Sequence, residues 1–393
     1  MRTIWLALVC GAIMLAGCGR APAPSAGSPA TAGRGCPPGP VLSGFPAGYL
    51  AGIQFVSAAQ GWAVGQNVIL ATTDAGRHWR VQRTGPLNLT SVDFISRTAG
   101  WAVGTDTVLT TSDGGAHWAA LPEPERCLPI RSVHFISPAI GFAVAGGRNV
   151  ADVGPETPQT GGVVLATSDG GRSWRVLPAP ADAQTVCFSG PQDGWLGAGG
   201  RLYRTTDGGR SWAQVTTGMQ AASDGGYPGV MIVQCAGVGS AWALDVGAGA
   251  TMSKQPNVGY RAGPAGVVPV FAEQYFPHPG VRVAADSPGA YPGPFSAISP
   301  SAAVYIGWCP ACAGTVTAPT APWDLVTGSG TFLTAEGSIG GLNVPEAASF
   351  LSPQLGWVAG ASSYLGNGRF RQCIVFTDDA GRTWHVQYVS PAP

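Results

Sequence analysis

Short apolar runs separated by Gly-rich turns recur along nearly the whole chain, always in the same order. Each unit opens on an apolar run ending in Phe, and six residues later comes Gly followed by Trp. Phe55 leads to Gly61-Trp62, Phe94 to Gly100-Trp101, Phe135 to Gly141-Phe142, Phe188 to Gly194-Trp195 and Phe350 to Gly356-Trp357. Weaker versions stand at Cys235 with Ala241-Trp242 and at Ile298 with Gly307-Trp308, which makes seven units. The runs are strand-length and bounded by turn residues, so each unit reads as four short strands. In the second unit these are Thr90–Phe94, Trp101–Val103, Thr107–Thr111 and Trp118–Leu121. Self-similarity at this period marks a repeat architecture, in which one unit cannot bury its apolar face alone and its neighbours cover it.

A second motif links the third and fourth strands. Thr72-Thr73-Asp74-Ala75-Gly76-Arg77-His78-Trp79 returns with its Asp and Trp at Asp113 and Trp118, Asp169 and Trp174, Asp207 and Trp212, and Asp379 and Trp384. The Asp and the Ser/Thr beside it suit bonds to amides inside a turn, and the Gly suits a left-handed backbone. Such regular placement is what structural residues show, since an aromatic binding platform would be local. The pattern resembles the Asp-box repeat of bacterial neuraminidases. It is more similar to the photosystem II assembly/stability factor family, over about residue 45 to the C-terminus. The resemblance implies an all-β, seven-bladed β-propeller with four-stranded antiparallel blades. The expected domain is residues 36–393, with blades starting near residues 49, 88, 128, 182, 229, 291 and 344. Residues 229 to 343 carry no intact box, and stretches such as residues 248 to 266 read as insertions.

Composition agrees with a turn-rich all-β chain. Of 393 residues 59 are Gly and 34 Pro, which breaks long helices and argues against a bundle or a regular α/β alternation. Disorder throughout is excluded by a 45% hydrophobic content. Twenty-one basic residues balance twenty-one acidic ones, so there is no basic field to hold nucleic acid.

The N-terminal residues look like an address. Arg2 precedes an apolar run from Ile4 to Gly17 that is too short to span a bilayer but suits a secretory signal. It ends Leu15-Ala16-Gly17-Cys18, which resembles the bacterial lipobox. The expectation is a lipoprotein signal peptide over 1–17, lipidation of Cys18, and a disordered Gly/Ala/Pro tether over 18–35. That would put the chain at the cell membrane or outer membrane, lipid-anchored and facing the extracytoplasmic side.

Candidate chemistry is sparse. The Arg-Ile-Pro run that resemblance to sialidases would demand near the N-terminus is missing, as are a GxSxG elbow, HExxH and a P-loop. No cofactor or metal is expected. Seven cysteines follow Cys18, an odd number. Cys309-Pro-Ala-Cys312 reads as a structural disulfide, with a metal half-site or redox thiols as alternatives. The residue before each unit's final Phe is Gln54, Asp93, His134, Cys187, Gln234, Ala297 and Ser349 in turn. On the innermost strands these would ring the channel, either bonded to one another or, with Arg131, as a docking spot at its mouth. The expected function is a non-enzymatic scaffold binding a protein partner in the cell envelope. A carbohydrate-active lipoprotein, either lectin-like or a glycoside hydrolase, is the alternative. The sequence does not speak to oligomeric state.

Overall fold

The chain is described by a computed structural model over residues 49–124, 128–146, 161–218, 220–221, 229–247, 255–273, 291–308, 320–327, 333–362 and 371–391. All lie in one compact unit spanning Cys36–Pro393. The expected signal peptide, Cys18, the tether, Cys309 and Cys312 lie outside the described residues. Among those described, no helix is long and apolar enough to cross a membrane.

The described elements are strands. The first sheet orders β1 (Leu50–Phe55), β2 (Gly61–Thr72), β3 (Arg80–Phe94), β4 (Gly100–Gly104), β5 (Val108–Thr111) and β6 (Ala119–Ala120). The second holds β7 (Ile130–Phe135), β8 (Gly141–Ala145), β9 (Val163–Thr167) and β10 (Arg175–Leu177), and the third β11 (Ala183–Phe188), β12 (Gly194–Ala198), β13 (Arg201–Thr205) and β14 (Ala213–Gln214). The fourth comprises β15 (Val230–Cys235), β16 (Ala241–Val246), β17 (Asn257–Gly263) and β18 (Gly266–Glu273), and the fifth β19 (Tyr291–Ser299), β20 (Ala302–Trp308), β21 (Thr320–Thr327) and β22 (Leu333–Gly340). The sixth has β23 (Val344–Phe350), β24 (Gly356–Ser362), β25 (Arg371–Thr377) and β26 (His385–Val389). Every pairing is antiparallel, between strands consecutive in sequence. The protein is an all-β propeller of six sheets, which corrects the expected seven separate blades. The physical reason lies in β2 and β3: β2 runs through both middle strands of repeat one, and the first half of β3 pairs with β2 while its second half pairs with β4. Repeats one and two therefore share one six-stranded sheet.

Gly-Trp and Phe explain each other in the packing. A Cβ on Gly61 would meet the Phe55 ring at 2.6 Å, and one on Gly100 the Phe94 ring at 2.4 Å, so glycine makes the slot in which its own repeat's Phe lies flat. The Trp beside it then covers the Phe of the next repeat. Trp62 stacks on Phe94 at 3.4 Å, Trp101 on Phe135 at 3.6 Å, Phe142 on Phe188 at 3.5 Å, and Trp357 on Phe55 at 3.5 Å. The box Trp stands edge-on to the same Phe, as Trp79 does to Phe55, Trp118 to Phe94, Trp174 to Phe135, Trp212 to Phe188 and Trp384 to Phe350. Both are favoured aromatic geometries. Trp62, Trp195, Trp242 and Trp357 are fully buried.

Repeat six departs from the expected register. Ala297 pairs with Ala303 and Ser296 with Val304, so Val304 holds the place that Trp holds elsewhere. Trp308 lies instead at the far end of β20, half-buried beside Tyr291.

Candidate functional site at the inner strands

The box turns come first, because they set the ends of the sheets. In each, the buried Thr hydroxyl (Thr72, Thr111, Thr167, Thr205, Thr377) accepts the amide of the second Gly position at 2.9 Å and donates to the box Asp. The other side of the carboxylate takes the residue four positions on. Asp74 accepts the His78 amide and ring, and Asp113 those of His117; Asp169, Asp207 and Asp379 accept amide and hydroxyl from Ser173, Ser211 and Thr383. These bonds hold all five box carboxyls down at about 2. The turn is closed on itself and offers no open ligand set.

The boxes also receive the preceding repeat. Trp62 Nε1 donates to the Gly114 carbonyl at 3.0 Å, Trp101 Nε1 to that of Gly170 at 2.9 Å, and Trp357 Nε1 to that of Ala75 at 3.3 Å. Repeat five has no box. Correspondingly, Trp195 Nε1 is buried without a hydrogen-bond partner among the described residues.

The polar residues before each Phe form a belt along the inner strands. Gln54 bonds both the amide and the carbonyl of Phe94, and its Nε2 also donates to Asp93 at 3.3 Å. Asp93 accepts the Phe135 amide at 2.5 Å, and His134 Nε2 donates to the Phe188 carbonyl at 2.8 Å. Cys187 is joined to Cys235 by a disulfide. Gln234 donates to the Phe295 carbonyl and accepts the Ala297 amide. Ser296 accepts the Phe350 amide, and Ser349 that of Phe55, which returns the belt to its start. Ser296, not Ala297, fills the position in repeat six, because the shifted register turns it toward the next sheet. Each such side chain except Cys187 bonds the backbone of the following repeat. Burial pushes the Asp93 carboxyl up, against the opposing pull of His134 and the Phe135 amide.

A second belt was not legible in the sequence. Every inner strand but β15 carries a register shift, and in repeats two, four and seven the extra residue reaches across to the next repeat. Thr90 donates to the Ile130 carbonyl at 2.5 Å, and Gln184 bonds the Gly229 carbonyl and the Met231 amide. Glu346 accepts the Tyr49 hydroxyl, tying the last sheet to the first. Arg131, singled out with Asp93 and His134, occupies this bulge position in repeat three and is half-buried. Bulges leave no mark in a hydrophobic pattern, but the polar residue four before Phe (Thr90, Arg131, Gln184, Glu346) was a usable signal.

Buried carboxyls elsewhere stand singly or beside one other acid. Burial raises Asp245 to about 7, and burial with the neighbouring Glu336 raises Asp324 to about 7. Burial likewise raises Glu346 to about 7. No cluster of metal-ligating side chains occurs among the described residues.

Comparison with known proteins fits this architecture. Among solved structures, an ancestral GH74 enzyme matches with a TM-score of 0.53 and 13% identity, over 88% of this chain and 47% of its own. The WD40 β-propeller domain of Doa1 matches at 0.52 and 10%, over 85% and 94%. A structure described as YCF48 bound to D1 peptide gives 0.44 and 18%, over 76% and 81%. At these identities the first two establish the propeller fold alone. No curated protein matches the sequence. Residues 47–174, about a third of the chain, match the family model described as photosynthesis system II assembly factor YCF48, and the chain resembles that family in its repeat.

Proposed function

We propose that this chain is a non-enzymatic scaffold that binds a protein partner in the cell envelope, held by a lipid on Cys18 at the extracytoplasmic side of the cell or outer membrane. The observation that carries the reading is the match of residues 47–174 to the assembly-factor family model. The inner strands are consistent with it: Gln54, Asp93, His134 and Gln234 are engaged in bonds between repeats, an arrangement that stiffens a platform. Docking is assigned to the channel mouth around Arg131, with those four side chains supporting it.

The test is a pull-down from solubilised membranes with the full chain. A specific protein retained by the wild type and weakened at least about tenfold by Arg131→Ala, with an unchanged melting temperature, is the expected result. Retention of a glycan, or hydrolysis of aryl glycosides, would replace the scaffold by the carbohydrate-active reading. Palmitate labelling that survives Cys18→Ala would remove the anchor.

A further inference from the structure

We infer that the joint between repeats four and five is a thiol-oxidation site: a protein or small-molecule disulfide must act on Cys187 and Cys235 before this joint closes as the others do. The inference does not depend on the scaffold reading. The joints that leave repeats one, two and seven each consist of a stacked aromatic pair, a bond from the indole to the next box, and a polar side chain holding the next Phe backbone. Here all three are altered together. Cys235 stands where Phe stands in repeats one to four and seven, so Trp195 has no Phe face to cover. The box that would accept Trp195 Nε1 is absent. Cys187 takes the place of the polar side chain and reaches Cys235 through sulfur. A fourth change follows from the first: the slot glycine becomes Ala241, which is possible only because no Phe ring needs the space.

The disulfide therefore substitutes for the missing stack and hydrogen bonds. The two thiols give up two electrons and two protons, an S–S bond forms between them, and the oxidising disulfide is reduced to two thiols. Cys187 is 4% exposed and packed among Trp195, Met231 and Val233, so its sulfur is shielded once the ring has closed, while Cys235 is half-buried. Oxidation belongs to folding, and requires a compartment where disulfides persist.

The full chain, purified without reductant, provides the test. Peptide mapping is expected to recover Cys187 linked to Cys235, and thiol reagents to leave the pair unlabelled until the chain is unfolded. Refolding in reductant should lower the melting temperature by about 5 °C or more. Cys187→Gln/Cys235→Phe/Ala241→Gly, which rebuilds the joint of Gln54 and Phe94, is expected to melt above the reduced wild type when both are measured in reductant. Should that variant fail to fold, Cys187→Ser/Cys235→Ser is expected to melt with the reduced wild type when both are measured in reductant. A reduced wild type that refolds to an unchanged melting temperature overturns the inference, as does mapping of either cysteine to another partner.

Discussion

At the scale of single residues the fold rests on a few polar atoms placed where the backbone turns. The box Thr is the centre of its turn, since one hydroxyl both accepts the Gly amide and orients the Asp. Thr205→Val keeps the shape and leaves the Gly209 amide unpaired, which is expected to cost about 1–3 kcal/mol in urea unfolding. A change within about 0.3 kcal/mol would mean that the hydroxyl bond is not what holds the turn. The indoles offer a paired comparison. Trp101→Phe forfeits the bond to the Gly170 carbonyl, whereas Trp195→Phe removes an N–H that has no partner. Trp101→Phe should be the costlier by about 1 kcal/mol, and equal costs would count against the indole–box bond. At this scale the box Asp and Trp were legible because they recur. The hydroxyl's double role was not, since spacing does not say which side chain turns inward. Cys187–Cys235 was missed for another reason: the two sit at neighbouring ring positions, and only the closed circle makes neighbours of residues separated by 48 in sequence.

At the scale of elements the decisive relation is between a strand's last aromatic and the glycine that opens the next strand. Gly100→Ala drives a methyl into the Phe94 ring and is expected to destabilise by about 1–3 kcal/mol. Gly190→Ala, with nothing within 4 Å, should stay within about 0.5 kcal/mol. If the two behave alike in thermal unfolding, the slot has no steric content. The repeated Phe, Gly and Trp made the strands legible, yet they did not reveal where one strand gives way to the next. Gln82 to Leu87 reads as a boundary with its Gly85-Pro86, and the ladder does shift register there, yet β3 continues through it and serves two repeats. In repeat six, without Phe or box, nothing in the sequence pinned the register, and the expected Trp308 and Ala297 were displaced by Val304 and Ser296.

For the molecule as a whole, buried acids decide how stability follows pH. Asp245, Asp324 and Glu346 sit at about 7 in the folded protein and near 4 in an unfolded chain. Between those values the folded state holds protons that the unfolded state has lost, so stability falls as pH rises from about 4 to about 7. The box carboxyls act in the opposite sense, and their contribution is lost as pH drops from about 4 toward 2. Calorimetry is expected to show a higher melting temperature near pH 5 than near pH 7.5, with Asp245→Asn reducing the difference. A melting temperature that rises across that interval would contradict the burial of these groups.

The closure between Glu346 and Tyr49 has a consequence for the chain's architecture. Among the described residues no strand from one terminus completes a sheet begun at the other: each sheet follows sequence order, and β23 meets β1 without a strand ladder, through the Glu346–Tyr49 bond and the bond from the Phe55 amide to Ser349. The circle has no privileged seam. Its starting point could be moved to another connection between sheets, joining the present ends, without rewiring any strand ladder. Duplicating or deleting a whole sheet would be a problem of curvature and of the side-chain bonds at two joints rather than of strand pairing, which leaves such a ring free to change its membership one module at a time.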